Sequence, residues 1–116
     1  MIAGLIVELK RQIVQRFNTA YRMSMIRNDE LINGFVAGTM NGRKNGSMSV
    51  SDDGRRLFSY ATCIAERADN CIVINETRYS VTTSKQQGIL RRMVSGNIYY
   101  VNNIERGDDH LVIYLN

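Results

Sequence analysis

From Arg55 onward the chain alternates with a period of two and carries apolar side chains on both phases. Phe58, Tyr60 and Ile64 share one strand face, and Leu57, Ala61, Cys63 and Ala65 share the other. Successive side chains of a strand point to opposite faces, so an element apolar on both has no face to show water. The pattern demands a central strand, and the rest of the chain must supply cover above and below it.

Two amphipathic segments offer that cover. Over residues 3–23, Leu5, Ile6, Leu9, Ile13, Phe17, Ala20 and Tyr21 recur at three- and four-residue spacing, which predicts a helix with one apolar stripe. Arg11 and Arg22 fall on its polar side. Twenty residues make roughly 30 Å of helix, long for so small a domain, so the stripe either wraps the sheet or offers apolar surface to a partner or a second copy. The other segment is "RYSVTTSKQQGILRRM", residues 78–93. A strand-like Arg78-Tyr79-Ser80-Val81 leads into a helix, and Thr83-x-x-Gln86 and Ser84-x-x-Gln87 both match a capping box. Ile89, Leu90, Met93 and Val94 form its buried stripe. Arg91 and Arg92 fall near the C-terminal end, where cations suit the dipole, and Ser95-Gly96 stops it.

The remaining elements follow from turn chemistry. Asn28-Asp29 predicts the cap of a short helix through Leu31 and Ile32, stopped at Asn33-Gly34. Residues 38–54 hold four glycines and three Asn-Gly or Asp-Gly pairs. They read as a mobile glycine-rich loop with a short strand at Ser47–Ser51, closed by Asp53-Gly54. Cys71–Asn75 returns as a hairpin partner around Asp69-Asn70, which pairs Cys71 with Ala68 and Cys63 with Glu76. The two thiols then lie on the order of 16 Å apart, too far for a disulfide, so both are expected reduced. Ile98–Ile104 and Leu111–Leu115 read as a final hairpin around Gly107-Asp108-Asp109. The expected fold is α+β: a long N-terminal helix and a second helix packed on an antiparallel sheet of about four to five strands. Residues 1–116 form one domain, with a β-β-α-β-β region over 55–116.

Composition narrows the function. The chain has 116 residues, 44% apolar and 22% charged, ordinary for a globular protein. No run approaches the roughly 18 apolar residues of a membrane span, and "MIAGLIVELKR" is apolar before it is charged, the reverse of a secretory signal. A cytoplasmic protein is expected. The net charge is +4, and twelve of the fifteen basic residues are arginine, whose planar fork suits phosphate and carboxylate. Lys10, Arg11, Arg16, Arg22 and Arg27 face only Glu8 over residues 8–27, whereas Glu105, Asp108 and Asp109 dominate the C-terminal stretch. A basic end and an acidic end favour contact with a polyanion or docking on an acidic protein surface.

Catalytic parts are missing. There is no Cys-x-x-Cys, His-Glu-x-x-His or Gly-x-Ser-x-Gly, so no cofactor or metal and no enzymatic activity is expected. The one histidine, His110, stands beside a turn. Asp52-Asp53 and Asp108-Asp109 each adjoin a glycine, which is turn chemistry first; a magnesium-dependent nuclease built on them is the distant alternative. Candidates for a polyanion or partner surface are Arg43, Lys44, Arg55, Arg56, Arg78, Tyr79, Lys85, Arg91 and Arg92. Arg43-Lys44 and Arg55-Arg56 also read as solvated surface, and Tyr60 and Tyr79 read as base-stacking rings, with Tyr60 equally read as core. The hydroxyls of Thr82, Thr83 and Ser84 with Lys85 read as a helix start first and an anion site second.

The runs Ser59-Tyr60-Ala61-Thr62-Cys63-Ile64-Ala65 and Tyr79-Ser80-Val81-Thr82-Thr83-Ser84-Lys85 resemble a small uncharacterised domain of phages, prophages and archaeal elements. Gln86 stands where that pattern often continues with histidine. The resemblance implies a setting, an accessory protein of a mobile element, and no activity. Such proteins commonly inhibit host machinery, CRISPR nucleases included. Two expectations follow: a non-enzymatic, anti-CRISPR-like inhibitor of a host defence or nucleic-acid-processing complex, or a direct DNA- or RNA-binding module using the arginines.

Overall fold

The computed structural model describes residues 26–115; the helix expected over about 3–23, with Arg11 and Arg22, lies outside them. The first described helix, α1 (Asn28–Ala37), carries Asp29 and Glu30 in its first turn, where carboxylates complement the helix dipole. Asn28 does not cap it. Its side-chain oxygen accepts from Asn45 Nδ2 at 2.8 Å and Ser47 Oγ at 3.3 Å, tying a distant loop to the helix start. Nor does α1 stop at Asn33-Gly34, because Met40 folds back over Gly34 and takes the space of a side chain. The stop is Gly38 at φ 78°. Its N–H donates to Phe35 O, and Thr39 N–H donates to Gly34 O, the paired bonds of a Schellman ending.

Five strands follow one another across the sheet in chain order. β1 (Met48–Val50), β2 (Arg56–Ser59), β3 (Thr62–Arg67) and β4 (Ile72–Asn75) form an antiparallel meander, and β5 (Ile98–Val101) lies parallel to β4. The sheet is therefore mixed, not antiparallel. The glycine-rich segment is tied down beside β1: Val50 N–H donates to Arg43 O and Asn45 N–H to Met48 O, each at 2.9 Å. The single strand expected from Arg55 through Ala65 is two strands, turned at Tyr60-Ala61, with Tyr60 at φ 53°. Neither residue is a usual two-residue turn former, so an unbroken alternation concealed the turn, and Tyr60 is exposed rather than core. The β3–β4 hairpin has the expected register. Ala65 pairs with Ile74 and Arg67 with Ile72, Ala68 N–H donates to Cys71 O, and both cysteines are free.

A bulge gives the two faces their contents. Leu57 pairs with Ala65 and Phe58 with Cys63, leaving Ile64 unpaired between them. Ile64 and Ala65 consequently join the core under α1 and α2 (Val81–Met93), with Leu31, Phe35 and Leu90. Cys63 joins a smaller core on the opposite face with Val73, Val101, Ile104 and Leu111. That second face is covered by residues 102–115, and the expected final hairpin does not form. α2 is a crossover that returns the chain parallel to β4, and Val112–Leu115 is a 3₁₀ turn. The physical reason lies in β3. The Glu66 carboxylate is buried, accepts from Val112 N–H at 2.8 Å and from Arg56 Nε at 2.8 Å, and so draws the last segment across the sheet face. The architecture is α+β. Among the described residues no helix is long and apolar enough to cross a membrane.

Candidate functional site

The site is built where the chain leaves β4 and enters α2. Residues 76–80 belong to no helix or strand, and beyond the bond from Glu76 N–H to Val101 O side chains fix them. Asn75, fully buried, donates from Nδ2 to Cys63 O at 3.0 Å and to Tyr79 Oη at 2.9 Å, and accepts from Thr77 N–H at 2.9 Å. Gln87 Nε2 donates to Asn75 O at 2.6 Å and Thr77 O at 3.1 Å. Tyr79 Oη donates to Ile104 O at 2.6 Å.

Ser80 is the N-cap of α2, its hydroxyl accepting from Thr83 N–H at 3.1 Å. The two expected capping boxes do not form. Thr83 lies inside the helix with its hydroxyl on Ser59 Oγ at 3.0 Å and Ser80 Oγ at 3.1 Å. Gln86 Nε2 reaches Ser47 Oγ at 3.2 Å across the core, and its Oε1 has no partner. The glutamines thus lock α2 to the sheet instead of closing its first turn.

The solvent face of α2 is bounded by two adjoining recesses. One, of about 720 Å³, is lined by Arg78, Lys85 and Arg92, with Tyr79, Val81, Gly88 and Ile89 between them. The other, of about 560 Å³, is lined by Arg78, Arg91, Glu76, Gln87 and Asn102. Ser84 and Arg78 belong to both. Helical spacing explains the grouping, since Val81, Lys85, Gly88 and Arg92 recur at three and four residues and share one side. Five of the expected site residues, Arg78, Tyr79, Lys85, Arg91 and Arg92, therefore meet. Among the described residues none of their four cationic groups is in an ion pair.

Arg43, Lys44, Arg55 and Arg56 line neither recess. Arg56 is engaged on the other side of the sheet by Glu66, and its Nη2 meets His110 Nδ1 at 3.0 Å. The acidic pairs are occupied in separate turns. Asp53 accepts from Ser51 Oγ and Arg55 N–H, which hold its carboxyl below the usual range. Asp108 accepts from Tyr114 Oη and His110 N–H. Among the described residues no three His, Cys, Asp or Glu side chains gather as metal ligands. The Cys63 thiol is pushed up to about 12 by burial and by the nearby Glu66 charge; it is a packing group at neutral pH.

Two residues of this region escaped the sequence. Arg106 stands 5.7 Å over the Tyr79 ring and donates to Tyr79 O at 3.1 Å, a contact across 27 residues that no spacing announces. Gly88 carries no signal of its own in the sequence, and its place in the lining of a recess shows only in three dimensions.

The chain belongs to a family of unknown function (DUF8033), whose model matches residues 18–88. The match runs through α1 and β1–β4 and into α2 as far as Gly88. No curated protein and no solved structure matches the chain.

Proposed function

We propose that this is a non-enzymatic binding protein whose α2 face takes the phosphate backbone of a nucleic acid. One observation carries the reading: Arg78, Lys85, Arg91 and Arg92 converge on two recesses that share a wall, and among the described residues Glu76 is the single acid lining them. Three of the four are arginines, which grip phosphate oxygens in pairs. A strand of phosphates laid along α2 meets cations in succession, and each neutralised phosphate releases a counterion. The fixed lead-in 76–80 keeps Arg78 in register with the helix, so the surface is preorganised.

The test is a salt titration of oligonucleotide binding. Log affinity falls linearly with log salt, and replacing Arg91 and Arg92 by Gln lowers the slope by about 0.7–0.9 for each phosphate no longer neutralised. A flat salt response overturns the reading.

A second reading is favoured by a different observation. Tyr99, Val112, Ile113, Tyr114 and Leu115 are exposed together where the 3₁₀ turn lies against β5, and exposed apolar surface of this kind suits a protein partner. It supports an inhibitor of a host defence or nucleic-acid-processing complex, the anti-CRISPR-like accessory protein of a phage or mobile element. A stoichiometric protein complex that survives nuclease and is abolished by Ile113→Glu carries this reading. Recovery of nucleic acid alone discards it.

A further inference from the structure

We propose that the larger recess holds a nucleoside phosphate unit, the base lying against Tyr79 and over Gly88 and the phosphate on Arg78, Lys85 and Arg92. The proposal rests on the polyanion reading above and adds that the protein binds a base as well as a backbone.

The recess is chemically divided. Its lining combines the cations Arg78, Lys85 and Arg92 and the hydroxyls of Ser80 and Ser84 with Tyr79, Val81, Gly88 and Ile89, which give it an apolar part. Phosphates alone call for no such apolar part, and a nucleoside phosphate needs both. A volume of about 720 Å³ falls within the range of roughly 300–1,000 Å³ usual for small-molecule sites. Val81 is 73% exposed at the start of the helix, an apolar side chain that a bound base would cover.

Tyr79 is held as a stacking ring should be. Its hydroxyl is fixed by Asn75 and Ile104, and Arg106 stands over the ring. Tyr79 lines the recess and Arg106 does not. A ring already immobilised loses little entropy when a base stacks on it.

Gly88 is the independent observation. A glycine inside a helix costs about 1 kcal/mol relative to alanine, and here packing does not require it. A Cβ at this position meets only guanidinium tips, Arg92 Nη1 at 3.6 Å and Arg91 Nη2 at 3.9 Å. The helix would be better without it. What the missing side chain does provide is a low point in the lining, the close approach for which a helix glycine is otherwise hard to explain.

The experiment titrates the full chain with nucleoside 5′-monophosphates, a short single-stranded oligonucleotide, the duplex of the same sequence, and inorganic phosphate. The single strand is expected to bind about ten-fold tighter than the duplex, whose bases stay in their own stack. Gly88→Leu, which adds a bulky side chain at this half-buried position of the recess, is expected to abolish that preference. Gly88→Ala reports folding, since it should raise the thermal midpoint. A mononucleotide binding as tightly as the strand identifies the ligand as a free nucleotide, and a much tighter strand identifies it as single-stranded nucleic acid. Strand and duplex bound equally, unaffected by Gly88→Leu, overturns the inference and leaves the polyanion reading standing. Inorganic phosphate matching the mononucleotide also overturns it. No binding to any nucleic acid overturns both.

Discussion

α1 and α2 each contain one glycine, and the two serve opposite ends. A Cβ on Gly88 would meet only the guanidinium tips of Arg92 and Arg91 at ordinary contact distance, whereas one on Gly34 would collide with Met40 Cγ and lie 3.1 Å from Met40 Cβ. Met40 is half-buried and packs on the main core, so it cannot move aside without leaving a void. Gly34→Ala gains roughly 1 kcal/mol of helix propensity and loses about 1–3 kcal/mol to overpacking. We expect a net loss, read as a lower urea midpoint at unchanged slope; a raised midpoint would show that Met40 swings freely. The sequence could not separate these glycines, nor tell that Gly34 continues the helix which Asn33-Gly34 was expected to stop. What distinguishes them is Met40, brought back by the Gly38 turn. The cationic residues Arg78, Lys85, Arg91 and Arg92 were legible because charge and helical spacing are local properties. Arg106 was not, because its partner is a distant backbone carbonyl.

At the scale of the element, the hydroxyl-rich entry to α2 offered too many caps. Ser80, Thr82, Thr83 and Ser84 are all good N-cap residues, and glutamines three residues on favoured the later ones. Tertiary contacts decided otherwise. Ser59 on β2 takes the Thr83 hydroxyl into the core, which fixes Thr83 in the first turn and leaves the cap to Ser80. Ser80→Ala should therefore cost about 1 kcal/mol, while Ser84→Ala, on the exposed face, should stay within about 0.5 kcal/mol. Equal costs in thermal unfolding would return the cap to the later residues. The same limit hid the Tyr60-Ala61 turn. A period of two shows that side chains alternate, but it runs unchanged through a tight turn that contains no glycine or asparagine. The Asp69-Asn70 turn, with favourable residues, was legible down to its register.

For the molecule as a whole, the unexpected step is the closure of the second sheet face by residues 102–115. Strand propensity in "IYYVNNI" and "LVIYL" pointed to a hairpin, but a hairpin at the sheet edge would leave Cys63 and Val73 uncovered. Leu111 and Ile104 cover them instead. Glu66 holds the segment at Val112, and a turn closed by Asp108 and Tyr114 holds its end. This turn has a defined pH window. The Tyr114 hydroxyl and the His110 N–H hold the Asp108 carboxyl below its ordinary value of 3.8, and the Asp108 bond raises Tyr114 above its ordinary 10.0. A depressed carboxyl contributes stability above its unfolded pKa and loses it as pH falls through the folded one. A raised phenol contributes below its unfolded pKa and loses it as pH rises through the folded one. The bond is therefore intact from about pH 4 to about pH 10. Both groups are exposed, so the effect is local: amide protection over residues 108–115 should fall outside that window before the main core opens. Asp108→Asn should remove the acid edge of the window and leave the α2 recesses unchanged. Protection that is flat from pH 3 to pH 7 in the parent chain would show that Glu66 and Leu111 hold the segment without the turn.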